Sequence, residues 1–305
     1  MRTNNKPLGL LFITLAWLAP GQAEAELKVV TTIPDLKAIV AEVGGEHVSA
    51  ESIAKGTQDP HHLEAKPSFM VKVSRADLVV SIGMDLEAAW LPNILQGGRN
   101  PRVMPGQPGY LEVGPSLDAL EVPKGEVTRA QGDVHPSGNP HVWLDPIRLA
   151  QAGQLVAARL GELDPPNAAK YAASAKALEK RMLEKTKGWK SRIDASGVRQ
   201  VVTHHRTLTY FLARFGIASA AILEPKPGIP PTSGHILEVI RTIRDKKVPL
   251  VMIENYFDPN VANRIKQDVP AVRVSAVPVS VEGAPEVKTI DDLYETLVRT
   301  IEGKP

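Results

Sequence analysis

Apolar residues along the chain follow two rhythms. Short unbroken runs at 27–32 (LKVVTT), 76–83 (ADLVVSIG) and 247–257 (KVPLVMIENYF) predict buried strands. Helical spacing governs 33–45, where Leu36, Ile39, Val40 and Val43 share a face and Gly44 supplies the stop. It governs 84–95 as well, with a proline interruption, and 209–216, ended by Gly216. The last such segment is 288–301, where Ile290, Leu293, Leu297 and Ile301 line up. Strands alternating with helices predict an α/β chain whose parallel sheets are covered on both faces. Residues 29–36 (VVTTIPDL) and 201–208 (VVTHHRTL) agree at four of eight positions, which suggests two lobes of similar βα build, each presenting a strand-end loop.

Between the halves runs a polar helix with a narrow apolar stripe: Ala168, Tyr171, Ala175, Leu178, Met182 and Trp189. Asp164 is placed to cap it and Pro165 to open it. A helix of about 24 residues would be roughly 36 Å long, a stiff connector along both lobes. The expected division is a leader at 1–25, an N-terminal βα lobe at 26–163, the connecting helix at 164–195 and a C-terminal βα lobe at 196–305.

The leader reads as a secretory signal peptide. Arg2 and Lys6 precede an apolar run, LGLLFITLAWLA, and then Pro20, Gly21 and the small-residue pattern Ala23-Glu24-Ala25 place cleavage after Ala25. The chain has no cysteine, so an exported product would be stable by its core alone and would carry no lipid-modified cysteine. A soluble periplasmic protein is expected. Thirty-six basic residues against 34 acidic give a net charge of +2, with no long run of one sign. Nucleic acid and anionic membrane surfaces are therefore not expected partners.

The candidate chemistry lies in the histidines. Of eight, four form the adjacent pairs His61-His62 and His204-His205. His61 and His62 stand in a proline-bounded stretch, QDPHHLEAKPSF; His135 and His141 stand in a second Pro/Gly-rich loop, HPSGNPHVWLDP. His204 and His205 fall where a buried strand gives way to a helix. Taken singly, each reads as an ordinary surface or hydrogen-bonded histidine. Together, three stiff loops offering neutral imidazole suit a divalent transition metal, zinc above all, held without thiolate.

These loops resemble the metal-binding subunits of bacterial ABC importers for zinc and manganese. DPHHLEAKPS is similar to that family's first motif, NPHVWLDP to its second, and THHRTLTYFLARFGI to its third, in which a ligand lies five residues before an aromatic. DLVVSIGMDLEAAWLP and the leader also fit, and the resemblance covers nearly the whole mature chain. It implies two βα lobes joined by a rigid backbone helix, with the metal in the cleft between them. Carried over by motif, it names His61, His141 and His205 as ligands, with Tyr210 setting the register that selects His205. His62 and His204 become neighbours pointing elsewhere. A histidine at the third position points to zinc (Zn2+) as the transported ligand; manganese or another divalent metal is the alternative. The implied partner is a membrane permease, and the implied state a monomer that is not an enzyme.

One departure matters. The resemblance implies a fourth ligand that many relatives supply, an aspartate after a strand like VRVSAVPV, but here the segment AVPVSVEGAP has none and Pro278 stands near that place. Water or Glu254 are the candidates, with a structural carboxylate as the competing reading of Glu254. His135 could pass metal inward, though it reads as an ordinary loop histidine, and His235, after a proline-rich loop, reads as the start of a helix. An exported zinc hydrolase is the rival class, since three histidines and a water also make a catalytic zinc site. Neither an H-E-x-x-H helix nor a G-x-S-x-G elbow is present.

Overall fold

The structure, a computed structural model, describes residues 26–304 other than 126, 128–131, 133, 227 and 259. The leader expected at 1–25 lies outside the described residues. Strands β1 (Leu27–Thr31), β2 (Val48–Ser52), β3 (Leu78–Ser81) and β4 (Tyr110–Glu112) form a parallel sheet in the order β2-β1-β3-β4. Strands β5 (Gln200–Thr203), β6 (Ala218–Ile222), β7 (Leu250–Glu254) and β8 (Arg273–Val277) form a second, in the order β6-β5-β7-β8. The sheets share one topology, and the two copies of the Val-Val-Thr repeat occupy the same place in it, on β1 and β5. In such sheets the carboxyl ends of the strands beside the switch in strand order are where ligands sit.

Helices α1 (Pro34–Gly44), α2 (Pro67–Ser74) and α3 (Leu91–Gly98) cover the first sheet. Helices α4 (Pro146–Leu163) and α5 (Ala168–Ser196) follow, and α6 (Thr209–Phe215), α7 (Ser233–Asp245), α8 (Asn260–Asp268) and α9 (Ile290–Glu302) accompany the second. Proline opens several of them, where its missing N–H costs nothing. Pro67, read from sequence as part of a stiff loop, is thus the first residue of α2. His235 lies in the first turn of α7, with its backbone N–H on the capping Thr232 hydroxyl.

Two expected elements differ. The helix expected at 84–95 begins only at Leu91. Upstream, Met84 and Asp85 are left-handed, with φ of 55° and 64°. The buried Glu87 carboxylate pulls the chain back there, accepting from Ile82 N–H (2.9 Å), Gly83 N–H (3.0 Å) and the Thr32 hydroxyl (2.6 Å). The connecting helix begins at Ala168, after a 3-10 turn at Pro165–Asn167. Asp164 accepts from the Asn167 amide (2.9 Å) and the Tyr171 hydroxyl (2.5 Å) instead of capping the turn. With 29 residues α5 is about 44 Å long, and Gly197 ends it in the left-handed conformation, φ 74°.

The apolar interior forms three bodies. One belongs to the outer side of the first sheet, around Trp90, Ile94 and Val79. Another belongs to the outer side of the second, around Val239, Ile243 and Val251. The largest is continuous from sheet to sheet and takes in Leu36, Leu78, Trp143, Leu149, Leu178, Val201, Tyr210, Leu250, Tyr294 and Leu297. Polar links reinforce it. Arg181 of α5 bonds Glu42 of α1 (2.8 Å to Oε2) and Asp291 of α9 (3.4 Å). Trp143 Nε1–H donates to Val279 O (2.8 Å), and the Tyr294 hydroxyl donates to Trp143 O (2.6 Å).

Candidate metal centre

Three loops meet between the sheets. His61 stands on the loop between β2 and α2, His141 directly before a 3-10 turn (Val142–Leu144) that leads into α4, and His205 directly after β5. Their ring centroids are 5.1 Å (His61–His141), 5.6 Å (His61–His205) and 5.3 Å (His141–His205) apart. One nitrogen from each ring lies within 4.8 Å of the others. In tetrahedral zinc with bonds of about 2.05 Å the donors stand about 3.3 Å apart, so a small inward shift completes the contact.

Local chemistry fixes which nitrogen each ring presents. Asp59-Pro60-His61 and Asn139-Pro140-His141 build the same turn twice. In each, the side-chain oxygen of the first residue accepts from the backbone N–H of the histidine two residues on (2.9 Å in both). The same oxygen accepts from that histidine's Nδ1, at 2.8 Å for His61 and 2.7 Å for His141. The Asp59 carboxylate can only accept. The Asn139 oxygen is oriented because its Nδ2 donates to Glu121 Oε2 (2.8 Å) and Arg206 O (2.9 Å). Glu224 does the same for His205, with Oε2 2.5 Å from Nδ1. Each Nδ1 therefore carries the proton and each Nε2 the lone pair. The Nε2 atoms of His61 and His141 are buried and have no hydrogen-bond partner. Unpaired buried acceptors are costly, and a cation would satisfy them.

Electrostatics keep the cluster ready. Burial, followed by the charges of His61, His205 and His135, holds His141 well below the ordinary 6.5. Burial also pulls His205 down, but the Glu224 hydrogen bond and the Glu254 charge outweigh it, and the net movement is upward. Burial would raise Asp59, yet its bond to His61 holds it below the usual carboxylate range. The donors are neutral nitrogens backed by anions, a set suited to a borderline divalent ion.

Around this trio the other candidates sort themselves. The ring of His62 is 6.1 Å from that of His61, and His204 stacks on Phe257 at 4.0 Å; neither joins the close set. Glu254 is fully buried at the end of β7 with the Thr207 hydroxyl beside its carboxylate, and burial raises its pKa against the opposing His205 charge. In the segment AVPVSVEGAP, Val279 O accepts from Trp143 and the Ser280 hydroxyl donates to Asp35 (2.5 Å). His135, read as an ordinary loop histidine, instead packs against the cluster, its centroid 5.3 Å from that of His61. Burial, then His61 and His205, push it down to about 3. Cavities of about 410 and 420 Å³ flank the centre and share His205 as a wall.

Sequence reasoning did not single out Asp59, Asn139 or Glu224. The repeated Asx-Pro-His tripeptide was the available signal for the first two. Glu224 has none nearby; the strand pairing delivers it, with Leu223 N–H on Thr203 O (2.9 Å) and Glu224 N–H on His204 O (2.8 Å).

The profile of the family described as ZnuA, zinc-uptake complex component A, periplasmic, matches residues 29–303. The manganese ABC transporter substrate-binding lipoprotein PsaA of Streptococcus mitis is 26% identical over 278 residues, covering 86% of each chain. The zinc-binding lipoprotein AdcA of Streptococcus pneumoniae strain R6 is 21% identical, and the match covers 81% of this chain and 49% of AdcA. A crystal structure of ZnuA superposes with a TM-score of 0.76 at 20% identity, covering 92% of this chain and 99% of its own, which is a likeness of fold. Among the described residues no helix is long and apolar enough to cross a membrane. With residues 29–303 inside that profile, the chain belongs to the ZnuA family and is a substrate-binding protein of a metal ABC transporter, not an enzyme.

Proposed function

We propose that this protein captures zinc in the periplasm, holds it on Nε2 of His61, His141 and His205, and delivers it as a monomer to a membrane permease. The observation that carries the reading is the shared arrangement of the three rings, each with Nδ1 engaged by an oxygen acceptor and Nε2 left for a ligand. Imidazole nitrogens favour zinc over manganese, which prefers oxygen donors. Copper(II) would compete by affinity, so selectivity rests on geometry and supply. The named specificities of PsaA and AdcA keep manganese as the second reading. Here the third motif offers His205 where a carboxylate would favour manganese.

Competition titration against a chromophoric chelator tests it. Zinc is expected to bind far more tightly than manganese. His141→Ala is expected to weaken zinc by about 100-fold or more and His62→Ala by no more than a few-fold, since only the former removes a converging donor. Tighter binding of manganese, or equal effects of the two substitutions, would refute the assignment.

A further inference from the structure

We infer that His135 is the fourth metal ligand, taking the place left by the aspartate that this chain lacks; the inference rests on the three-histidine reading above. The ring of His135 is 5.3 Å from that of His61, the same spacing that separates the three proposed ligands from one another (5.1 to 5.6 Å). Its Nε2 is buried and has no hydrogen-bond partner, which it shares with Nε2 of His61 and His141. The ring donates to the backbone carbonyl of Met84, so the pattern of one engaged nitrogen and one open nitrogen appears a fourth time.

The rival positions are weaker. Ser280 and Val279, in the segment AVPVSVEGAP, are committed to Asp35 and Trp143. Glu254 is fully buried at the end of β7, with the Thr207 hydroxyl beside its carboxylate. His135 stands outside the mutually close trio, in ring contact with His61. A turn of its side chain toward the ion would close a tetrahedron of four neutral nitrogens. That shell retains the double positive charge of zinc and offers no oxygen to a harder ion.

The experiment counts rings. The mature protein is labelled with 15N-histidine, and two-bond 1H–15N correlation spectra are recorded before and after one equivalent of zinc sulfate. Four Nε2 signals are expected to move to metal-bound positions, three in His135→Ala. Competition titration should show zinc affinity falling about 10- to 100-fold in that variant. Three metal-bound rings in the wild type overturn the inference and leave the three-histidine reading standing. So does an unchanged ring count in His135→Ala. Fewer than three bound rings in the wild type overturn both. The wild-type count needs no variant, so a poorly folded substitution cannot hide the answer. A Glu254→Gln variant run alongside should keep all four bound rings. If it loses affinity while His135→Ala does not, the fourth place belongs to Glu254 and the inference falls.

Discussion

Glu224 offers the most informative perturbation of the centre. It is 6% exposed, and its two oxygens have separate tasks: Oε2 accepts from His205 Nδ1 at 2.5 Å and Oε1 from Gly228 N–H at 3.0 Å. Glu224→Gln keeps the volume but leaves one acceptor for two donors, and it removes the anion behind His205. Loss of such a supporting partner costs about 10- to 100-fold in metal affinity, or about 1.4 to 2.7 kcal/mol. The dependence on pH is the sharper signature. In the wild type His205 is raised above 6.5, so a proton competes with the metal on this ring as pH falls through that raised value. Without the Glu224 charge, burial dominates and the ring titrates at lower pH. The variant is therefore expected to be weaker by the full factor near about pH 8, and the gap should narrow toward about pH 6, where only the wild type bears the added proton competition. Zinc titrations against a chelator of known proton affinity, at half-unit steps, read this directly. A gap that stays constant or widens as pH falls, or one below about twofold near pH 8, would refute the positioning role.

Tyr210 ties the second loop to α6, donating to Asn139 O (2.6 Å) and accepting from Leu120 N–H (3.0 Å). Tyr210→Phe strands both partners, at about 1 to 3 kcal/mol each, and should lower urea stability and weaken zinc together; an unchanged midpoint would contradict it. Asp35, in the first turn of α1, lies fully buried against the segment after β8, accepting from Ser280 Oγ–H and Val281 N–H, and burial lifts it from 3.8 to about 7. Its folded pKa is the higher one, so its contribution is present at acid pH and is lost as pH rises toward 7, by up to about 4 kcal/mol. Asp35→Asn should therefore melt close to the wild type near about pH 5 and gain on it as pH rises to about 8; parallel melting curves across that range would exclude the effect.

Much of the fold was legible because buried strands and amphipathic helices announce themselves by period. The runs at β1, β3, β5 and β7 lie where the apolar stretches put them, and the Val-Val-Thr repeat marks equivalent strands. The turn at 84–90 was not legible, because Glu87 is polar in the sequence and buried in the fold; its partners come from Ile82, Gly83 and Thr32. A helical period cannot show a carboxylate capping the strand before it. At the centre, two loops could be chosen from proline and histidine, and the third from histidine at a strand end. Choosing one ring from each adjacent pair needed the motif resemblance. Glu224 and the placement of His135 depend on distant chain segments meeting, which no local pattern encodes.

The largest apolar body passes through the seam between the lobes, where Trp143, Tyr294 and Leu297 are at most 2% exposed. A swinging hinge would have to wet that seam. Each 100 Å² of apolar surface wetted there would cost about 2.5 kcal/mol at about 25 cal/mol per Å², against a whole domain's stability of about 5 to 15 kcal/mol. The halves therefore behave as one block, and ion traffic falls to the rim: the proline-stiffened segments around His61, His141 and Glu224 must yield locally for cargo to enter or leave.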